Sequence, residues 1–553
     1  MLPCIRHVSF WATLLAAGMA IGQTTRPAGR AWDDPSAVRT SRAPAGNADN
    51  FILYGYDREP YQLDPGPHLF VDYRYFLPGR TSYVFPDGSE APRYDGDPTR
   101  LPEILGSPSQ APANVRIEAQ KAEKTGVVLD NDQPWEYGIG YHTLLYFDGK
   151  YRLWYETIPP RNSKLGDRGL LCYAESDDGL KWVKPRVGIV DFEGNKDNNI
   201  VYGEPVAGHS FHGSSVFIDP LAPRSERLKL IYMSGTDAEA LARFKAAHPH
   251  SVSPIGEQKK LFIRLAHSAD GIHWTPRPNP VMSHMSDTQT TVYYDEYLKR
   301  YVAFFRLAYM NHRAIGRTET RRLDEPWPVP EVALFPQPIH DRPADDYYIS
   351  GYSRYPGTRT MHIMIPTIYK RHTDSTELGM AASMDGEYWT WLPGGPVLEP
   401  GPDGSWDGGC VFGGIGLTEL PDGRVVSPYV GYIYPHKFPR YERHMGRIGL
   451  AAWKKHRIAA VVADEEGEFV TGPLSAKGTS LLLNFQTRRN GWIKVSVEGK
   501  SSRSLDNCDR LFGDQIQKQV TWKGDGNLGI SPGEDFALRF HLRAARLYSF
   551  EVR

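Results

Sequence analysis

Acidic side chains stand at the start of several short apolar segments of this 553-residue chain. Asp132 and Glu136 lie in DNDQPWEYG, Asp287 lies in SHMSDTQTTVYYD, and Asp407 lies in SWDGGCVFGG. Hydrolysis of a glycosidic bond requires two carboxyl groups that flank the bond, one protonated as the acid and one ionised as base or nucleophile. The sequence supplies the residue types for this chemistry if the fold brings these segments together.

Glu136, Asp287 and Asp132 are the candidates for the acid and the base. Asp287 and Gln289 are two positions apart, so on a strand their side chains face the same side. Trp135 stands beside Glu136 and could be a platform for a sugar ring. The alternative interpretation of DNDQPWEYG is a capped turn around a buried tryptophan.

Other polar and aromatic residues near predicted strand starts could orient a substrate. In the pair Asp345 and Asp346, only one side chain can face a central channel, because adjacent residues of a strand point in opposite directions. The candidate substrate-binding residues are Trp135, His212, Gln289, Arg306, Asp346, Trp406, Asp407, Arg443 and His444.

The run HKFPRYERHMGR contains Arg443 and His444 and is strongly basic. A solvated surface is the ordinary interpretation of such a run, and binding of an acidic or sulfated glycan, or of inorganic phosphate, is the alternative. His209 and His212 lie in HSFHGSS, but no third ligand is evident near them, so a metal site is not predicted.

A motif of the form Ser-x-Asp-Gly-x-x-Trp occurs three times, in YAESDDGLKW, LAHSADGIHW and AASMDGEYW. Asp and Gly favour a tight turn, with Gly accepting positive φ, and the Trp is expected to pack on a neighbouring sheet. Such internal repeats are typical of β-propellers and other repeat architectures.

Paired strand patterns recur five times along the chain, and helical periodicity is convincing only at residues 237–247. The sequence therefore predicts an all-β protein with a five-bladed β-propeller followed by a C-terminal β-sandwich. The predicted divisions are a propeller at residues 116–455, an N-terminal extension at 51–115 that packs on it, and the sandwich at 456–553.

Composition and the N-terminus limit the function classes. The 64 basic and 65 acidic residues leave a formal charge of −1, which excludes a polycationic nucleic-acid binder. Residues 1–22 have the pattern of a cleaved signal peptide, and residues 23–50 that of a flexible leader. Cys172, Cys410 and Cys508 then remain, an odd number without CxxC spacing, so we expect buried thiols.

The SxDGxxW turns, the acidic strand starts and the C-terminal β-rich region together resemble five-bladed β-propeller glycoside hydrolases of the family 32 and family 43 grouping. The run LFVD at residues 69–72, followed by DQPWE at residues 132–136, is similar to a group of exported bacterial family-32-like proteins. The chain lacks the WMNDPNG, Arg-Asp-Pro and Glu-Cys signatures of invertases, so the resemblance does not imply a fructosidase.

The sequence and this resemblance favour a secreted or periplasmic glycoside hydrolase that acts on a poly- or oligosaccharide, with an acidic glycan among the candidates. No cofactor is expected to be required, structural calcium is compatible with the fold, and neither nucleic acid nor a membrane span is expected. A glycoside phosphorylase and a non-catalytic glycan-binding protein are the alternatives, since a fold alone does not fix function.

Overall fold

The computed structural model describes residues 60–78, 82–84, 90–92, 112–160, 162–164, 169–203, 210–338, 341–437 and 445–553. Strands dominate, so the all-β prediction is confirmed. The α-helices in the described residues are Ala238–Ala247, as the periodicity predicted, and Pro254–Lys259. The same residues include 3-10 turns at Arg224–Glu226, Pro249–Ser251 and Ser501–Arg503. Within the described ranges, no helix is both long and apolar enough to cross a membrane.

Five antiparallel sheets follow one another along the chain. The first contains Gly138–Phe147, Lys150–Ile158, Leu170–Ser176 and Ile200–Gly203. The second contains Phe211–Ile218, Leu228–Gly235, Leu261–Ser268 and Thr275–Pro276. The third contains Thr291–Asp295, Arg300–Tyr309, His312–Thr320 and Glu331–Leu334.

The fourth sheet is interrupted along its strands, so it has two sections. One section contains Asp345–Ile349, Thr367–Lys370 and Ser375–Leu378, and the other contains Tyr352–Arg354, His362–Met364, Ala381–Ser383 and Thr390–Trp391.

The fifth sheet takes its outer strand from a distant part of the chain. Its strands are Cys410–Gly413, Thr418–Glu419, Arg424–Tyr432, Arg447–Lys454 and Glu123–Leu129. The last of these precedes the first sheet in sequence, so a segment from before the five sheets completes the fifth one.

The three SxDGxxW motifs form the predicted turns. In the first copy, Ser176 Oγ accepts a hydrogen bond from Gly179 N (2.8 Å), and Asp178 Oδ1 accepts one from Leu180 N (2.8 Å). Gly179 has φ of +76°, as such a turn requires. In the third copy, Trp389 packs edge-on against Phe304 of the third sheet, so this tryptophan contacts the neighbouring sheet.

The first strands of the five sheets contact one another in sequence order. Val216 N contacts Thr143 Oγ1 (3.4 Å), Thr290 N donates to Gly213 O (3.1 Å), and Thr291 Oγ1 lies 3.1 Å from Ser350 Oγ. Gly416 N of the fifth sheet donates to Ser353 Oγ of the fourth (2.9 Å). Leu144 N of the first sheet donates to Ile415 O of the fifth (2.8 Å). These contacts form a cycle, so the five first strands surround one axis.

Two further sheets hold the C-terminal region. The larger contains Asp514–Gln519, Leu481–Val497, Leu538–Val552, Ala459–Val470 and Arg116–Ala119, with His68–Leu69 beside Leu538–Val552. The smaller contains Tyr61–Gln62, Leu474–Ser475 and Asp535–Phe536, and a separate pair is formed by Ser82–Val84 and Glu90–Pro92. Most buried apolar side chains of the larger and the smaller sheet belong to one cluster.

Two of the four described strands of the predicted N-terminal extension pair with these C-terminal sheets. Tyr61 aligns with Leu474, and His68 aligns with Phe550. The predicted signal peptide and leader, and residues 51–59, 79–81, 85–89 and 93–111 of the extension, lie outside the described residues, and the division into domains stays a prediction. Cys172, Cys410 and Cys508 are buried thiols, as predicted.

Candidate functional site

A pocket of about 150 Å³ opens where the first strands of the five sheets begin, and every sheet contributes to its wall. Its polar and aromatic lining comprises Tyr141, His142, Glu156, His212, Asp287, Tyr348, Phe412, Tyr432 and His436. Of the carboxylates proposed from the sequence, Asp287 lines this pocket. Glu156, which the sequence reasoning missed, is the second carboxylate in its wall.

Asp287 lies just before the first strand of the third sheet, and its side chain is 32% exposed. Its carboxylate forms an ion pair with Arg306 of the adjacent strand. Tyr141 donates a hydrogen bond from its hydroxyl to the backbone oxygen of Asp287 (2.8 Å), which fixes this segment against the first sheet. Burial lowers the pKa of Arg306, and the nearby Arg313 lowers it further.

Glu156 lies near the end of the second strand of the first sheet and is almost fully buried, with 2% of its side chain exposed. Its Oε1 is 2.5 Å from His212 Nδ1, and its Oε2 accepts from both the backbone N and the hydroxyl of Ser214 (3.2 Å each). Both carboxylate oxygens are thus held from the second sheet. The His212 side chain remains partly exposed and lines the pocket.

Aromatic rings form much of the remaining wall. Tyr141 packs edge-on against His212, with centroids 5.1 Å apart, and Tyr348 packs against Phe412 (5.3 Å) and His436 (5.2 Å). Burial raises the pKa of Tyr141 well above its ordinary value, with Tyr348 and Glu156 adding to the effect, so its hydroxyl stays protonated. Mixed aromatic faces and a few fixed polar groups are typical of small-ligand pockets.

Gln289 and His142 lie at the floor of the pocket. Gln289 is buried and donates through Nε2 to the backbone oxygens of His142 (2.9 Å) and Ser214 (3.2 Å), so it joins three sheets at the axis. Burial lowers the pKa of His142 to about 4, which keeps this imidazole neutral at neutral pH. Gln289 therefore supports the floor rather than lining the pocket beside Asp287.

The segment around Glu136 lies away from the pocket lining. Glu136 has no exposed surface, and it accepts from Tyr155 Oη (2.5 Å) and Lys184 Nζ (2.6 Å). Burial raises the pKa of Glu136, although Lys184 opposes that effect. Asp132 is 62% exposed and contacts the same lysine at 2.7 Å. Trp135 is buried and donates to Asn199 Oδ1 (2.9 Å), so it packs in the core.

Asp346 is also fully buried, and two arginines hold it. Arg313 Nη1 lies 2.7 Å from its Oδ2, and Arg371 Nη2 lies 2.7 Å from its Oδ1. Burial alone would raise the pKa of Asp346, but the hydrogen bonds from Arg371 and Arg313 outweigh it and lower the pKa below its usual value. Asp346 thus links the third and fourth sheets without lining the pocket.

Asp407 and Trp406 stabilise the fifth sheet. Asp407 is buried and forms an ion pair with Lys124 Nζ (2.6 Å), which lies on the outer strand. Trp406 stacks on Tyr429, with centroids 5.5 Å apart. Neither side chain lines the pocket. Arg443, His444 and His209 lie outside the described residues.

The part of the chain that the structure describes contains no cluster of three or more His, Cys, Asp or Glu side chains that could hold a metal ion. The suggestion of structural calcium stays a prediction.

No family model matches the chain, and no curated protein matches it. Similar solved structures include an N-acetylgalactosamine deacetylase from F. plautii in complex with blood group B trisaccharide (14% identity, 63% of this chain and 96% of that chain, TM-score 0.40). A thermostable family-43 glycoside hydrolase matches at 13% identity over 59% of this chain and 92% of that chain, with a TM-score of 0.38. A Bombyx mori family-32 β-fructofuranosidase matches at 10% identity over 79% and 94%, with a TM-score of 0.36. These structures include members of the family 32 and family 43 grouping named in the sequence analysis.

Glu156 had a detectable signal in the sequence. It follows the buried run LWY at the end of a strand, where an acidic residue is unusual unless it has a partner. Its partner His212 lies 56 positions away, so only the packing of the first sheet on the second brings them together.

Proposed function

We propose that this protein is a glycoside hydrolase that cleaves a poly- or oligosaccharide in the pocket at the axis of the five sheets. The observation that supports this is the presence of two carboxylates from different sheets, Asp287 and Glu156, in the wall of one pocket rich in aromatic rings. Two carboxyl groups that flank one site are the requirement of glycosidic-bond hydrolysis.

Asp287 acts as the base or nucleophile in this proposal. Arg306 is its ion-pair partner, and a neighbouring guanidinium favours the ionised form of a carboxylate. The partly exposed side chain of Asp287 lines the pocket, whereas the neighbouring Gln289 donates through Nε2 to the backbone below it.

Glu156 and His212 together supply and recover the proton. The contact of 2.5 Å between Glu156 Oε1 and His212 Nδ1 couples a buried carboxylate to a pocket-lining imidazole. Ser214 holds the other carboxylate oxygen, so the pair is oriented before substrate binds. A group oriented in this way can serve as general acid and then as general base.

In this proposal the five sheets are the blades of a five-bladed propeller, a fold that suits this activity. The two C-terminal sheets form a β-sandwich. The cycle of contacts between first strands supports the propeller. The outer strand Glu123–Leu129 closes the fifth blade. We also propose that the protein acts after export, because residues 1–22 have the signal-peptide pattern.

Product release from a panel of neutral, uronic and sulfated polysaccharides and aryl glycosides tests the proposal. We expect the parent protein to release product, and Asp287→Asn and Glu156→Gln to lose about 100-fold or more of the rate. Asp148→Asn is the matched control, because Asp148 also pairs with an arginine, Arg227, but on the surface. Glycan binding without turnover across the panel would instead indicate a non-catalytic binding protein, and a rate that requires added phosphate would indicate a phosphorylase.

A further inference from the structure

A second cavity lies at the opposite end of the same five first strands. Its volume is about 730 Å³, within the range of about 300 to 1,000 Å³ that is common for small-ligand sites. All five sheets contribute residues to it, and the described residues that line it differ from those that line the first pocket.

A layer of hydrogen bonds separates the two cavities. Gln289 binds the backbone of the first and second sheets in this layer, and Gly213 lies against the third sheet. A side chain at Gly213 would approach the backbone oxygen of Thr288 to 2.6 Å, which shows how closely the strands approach at this level. The second cavity is therefore a separate site and not a continuation of the first pocket.

Arg354 lies in the wall of the second cavity, and Asp295 and Glu296 favour its charged form from a distance. Its Nη2 contacts the backbone oxygen of Tyr294 at 3.5 Å, and its buried Nε has no hydrogen-bond partner. Among the residues that the structure describes, no carboxylate lies within ion-pairing distance of this guanidinium. The guanidinium therefore has no direct ion-pair partner, and an anion that enters the cavity can take that place.

The rest of the wall is suited to a polyhydroxylated ligand. Ser215 is buried, and its hydroxyl has no hydrogen-bond partner. Tyr146 is 52% exposed, and its ring packs on Tyr151 with centroids 4.6 Å apart, which leaves an aromatic surface at the edge of the cavity. The acidic residue in the wall, Glu419, is already paired with Lys455 (2.6 Å) and does not compete for Arg354.

We propose that the second cavity is a binding site for an acidic saccharide. Arg354 pairs with the carboxylate or sulfate group of the sugar, since guanidinium groups bind both bidentately. Ser215 bonds a sugar hydroxyl, and Tyr146 packs against the face of a sugar ring. This site does not depend on the proposed activity, because it shares no lining residue with the first pocket among the described residues.

Calorimetric titration with trigalacturonate, galactotriose and sodium sulfate tests this site. All proteins carry Asp287→Asn, so that turnover contributes no heat. We expect trigalacturonate to bind, and Arg354→Met to weaken binding about 10- to 100-fold because a charge-assisted hydrogen bond is lost. Arg264→Met is the matched control, because Arg264 is another partly buried arginine, stacked on Phe262 and outside both cavities, and should bind like the parent.

The exposed position of Tyr146 provides a second variant that should fold normally. Tyr146→Ala is expected to weaken trigalacturonate binding severalfold. The proposal is wrong if Arg354→Met and Tyr146→Ala both bind like the parent, or if millimolar trigalacturonate gives no binding heat. Equal binding of galactotriose would exclude the role of the anion, and equal binding of sulfate would exclude recognition of a saccharide.

Discussion

Replacement of Glu136 by glutamine distinguishes a structural carboxylate from a catalytic one. Glu136 is fully buried and receives three hydrogen bonds, from Tyr155, Lys184 and the backbone of Gln133. Glutamine has one acceptor oxygen, so its amide must face at least one of these donors. Removal of one partner of a buried ion pair costs about 3 to 5 kcal/mol, and one charge-assisted hydrogen bond contributes about 1.5 to 3 kcal/mol.

In the Glu136→Gln variant, Lys184 keeps its contacts with Asp132 and with the backbone oxygen of Asp130. The expected loss of stability therefore lies at the lower end of these ranges. We expect Glu136→Gln to lower the free energy of unfolding by about 2 to 3 kcal/mol while turnover stays within about twofold of the parent. Urea unfolding and initial-rate measurements on the same preparations give the two quantities.

Asp132→Asn is the control, because it removes the exposed partner of the same lysine and should cost less than about 1 kcal/mol. A Glu136→Gln variant with unchanged stability and abolished turnover would refute this reasoning. It would restore Glu136 as the acid of the reaction.

Two further predictions concern the ion pairs of two buried carboxylates, Asp346 and Asp407. Asp346→Asn leaves Arg313 and Arg371 without their shared partner and should lower the free energy of unfolding by about 2 to 4 kcal/mol at pH 7 in urea unfolding. Because the folded pKa of Asp346 is lowered, its stabilisation is complete above the ordinary value of 3.8 and is lost as the pH falls through the folded pKa, so the parent and the variant should converge in acid. Lys124→Met removes the partner of buried Asp407 and should raise hydrogen exchange in Glu123–Leu129 relative to the parent; unchanged exchange there would contradict a role in closing the fifth sheet.

Local features of the fold were predictable from the sequence. The SxDGxxW turns satisfy their hydrogen bonds within seven residues, as Ser176 and Gly179 do in the first copy. The helix Ala238–Ala247 begins with a local cap, in which Asp237 accepts from Ala240 N (2.7 Å). The strand Glu123–Leu129 had no such signal, because its partner Arg447–Lys454 lies more than 300 positions away. Their pairing depends on the packing of all five sheets.

The candidate site was predictable in part for the same reason. Asp287 lies at a strand start, so its place at the axis follows from the architecture. Glu136 also stands near a strand start, but Lys184 and Tyr155 enclose it, and their approach is a tertiary event. Glu156 lies near the end of a second strand, and its contact with His212 depends on the packing of two sheets.

Chemical rescue of Asp287→Ala is the most direct test of the proposed reaction centre. On a substrate identified in the product-release panel, we expect this variant to lose about 100-fold or more of the parent rate and to regain activity with added formate, which supplies the missing carboxylate. Asp148→Ala should keep the parent rate and show no response to formate. An Asp287→Ala variant that retains the parent rate without formate would contradict the account.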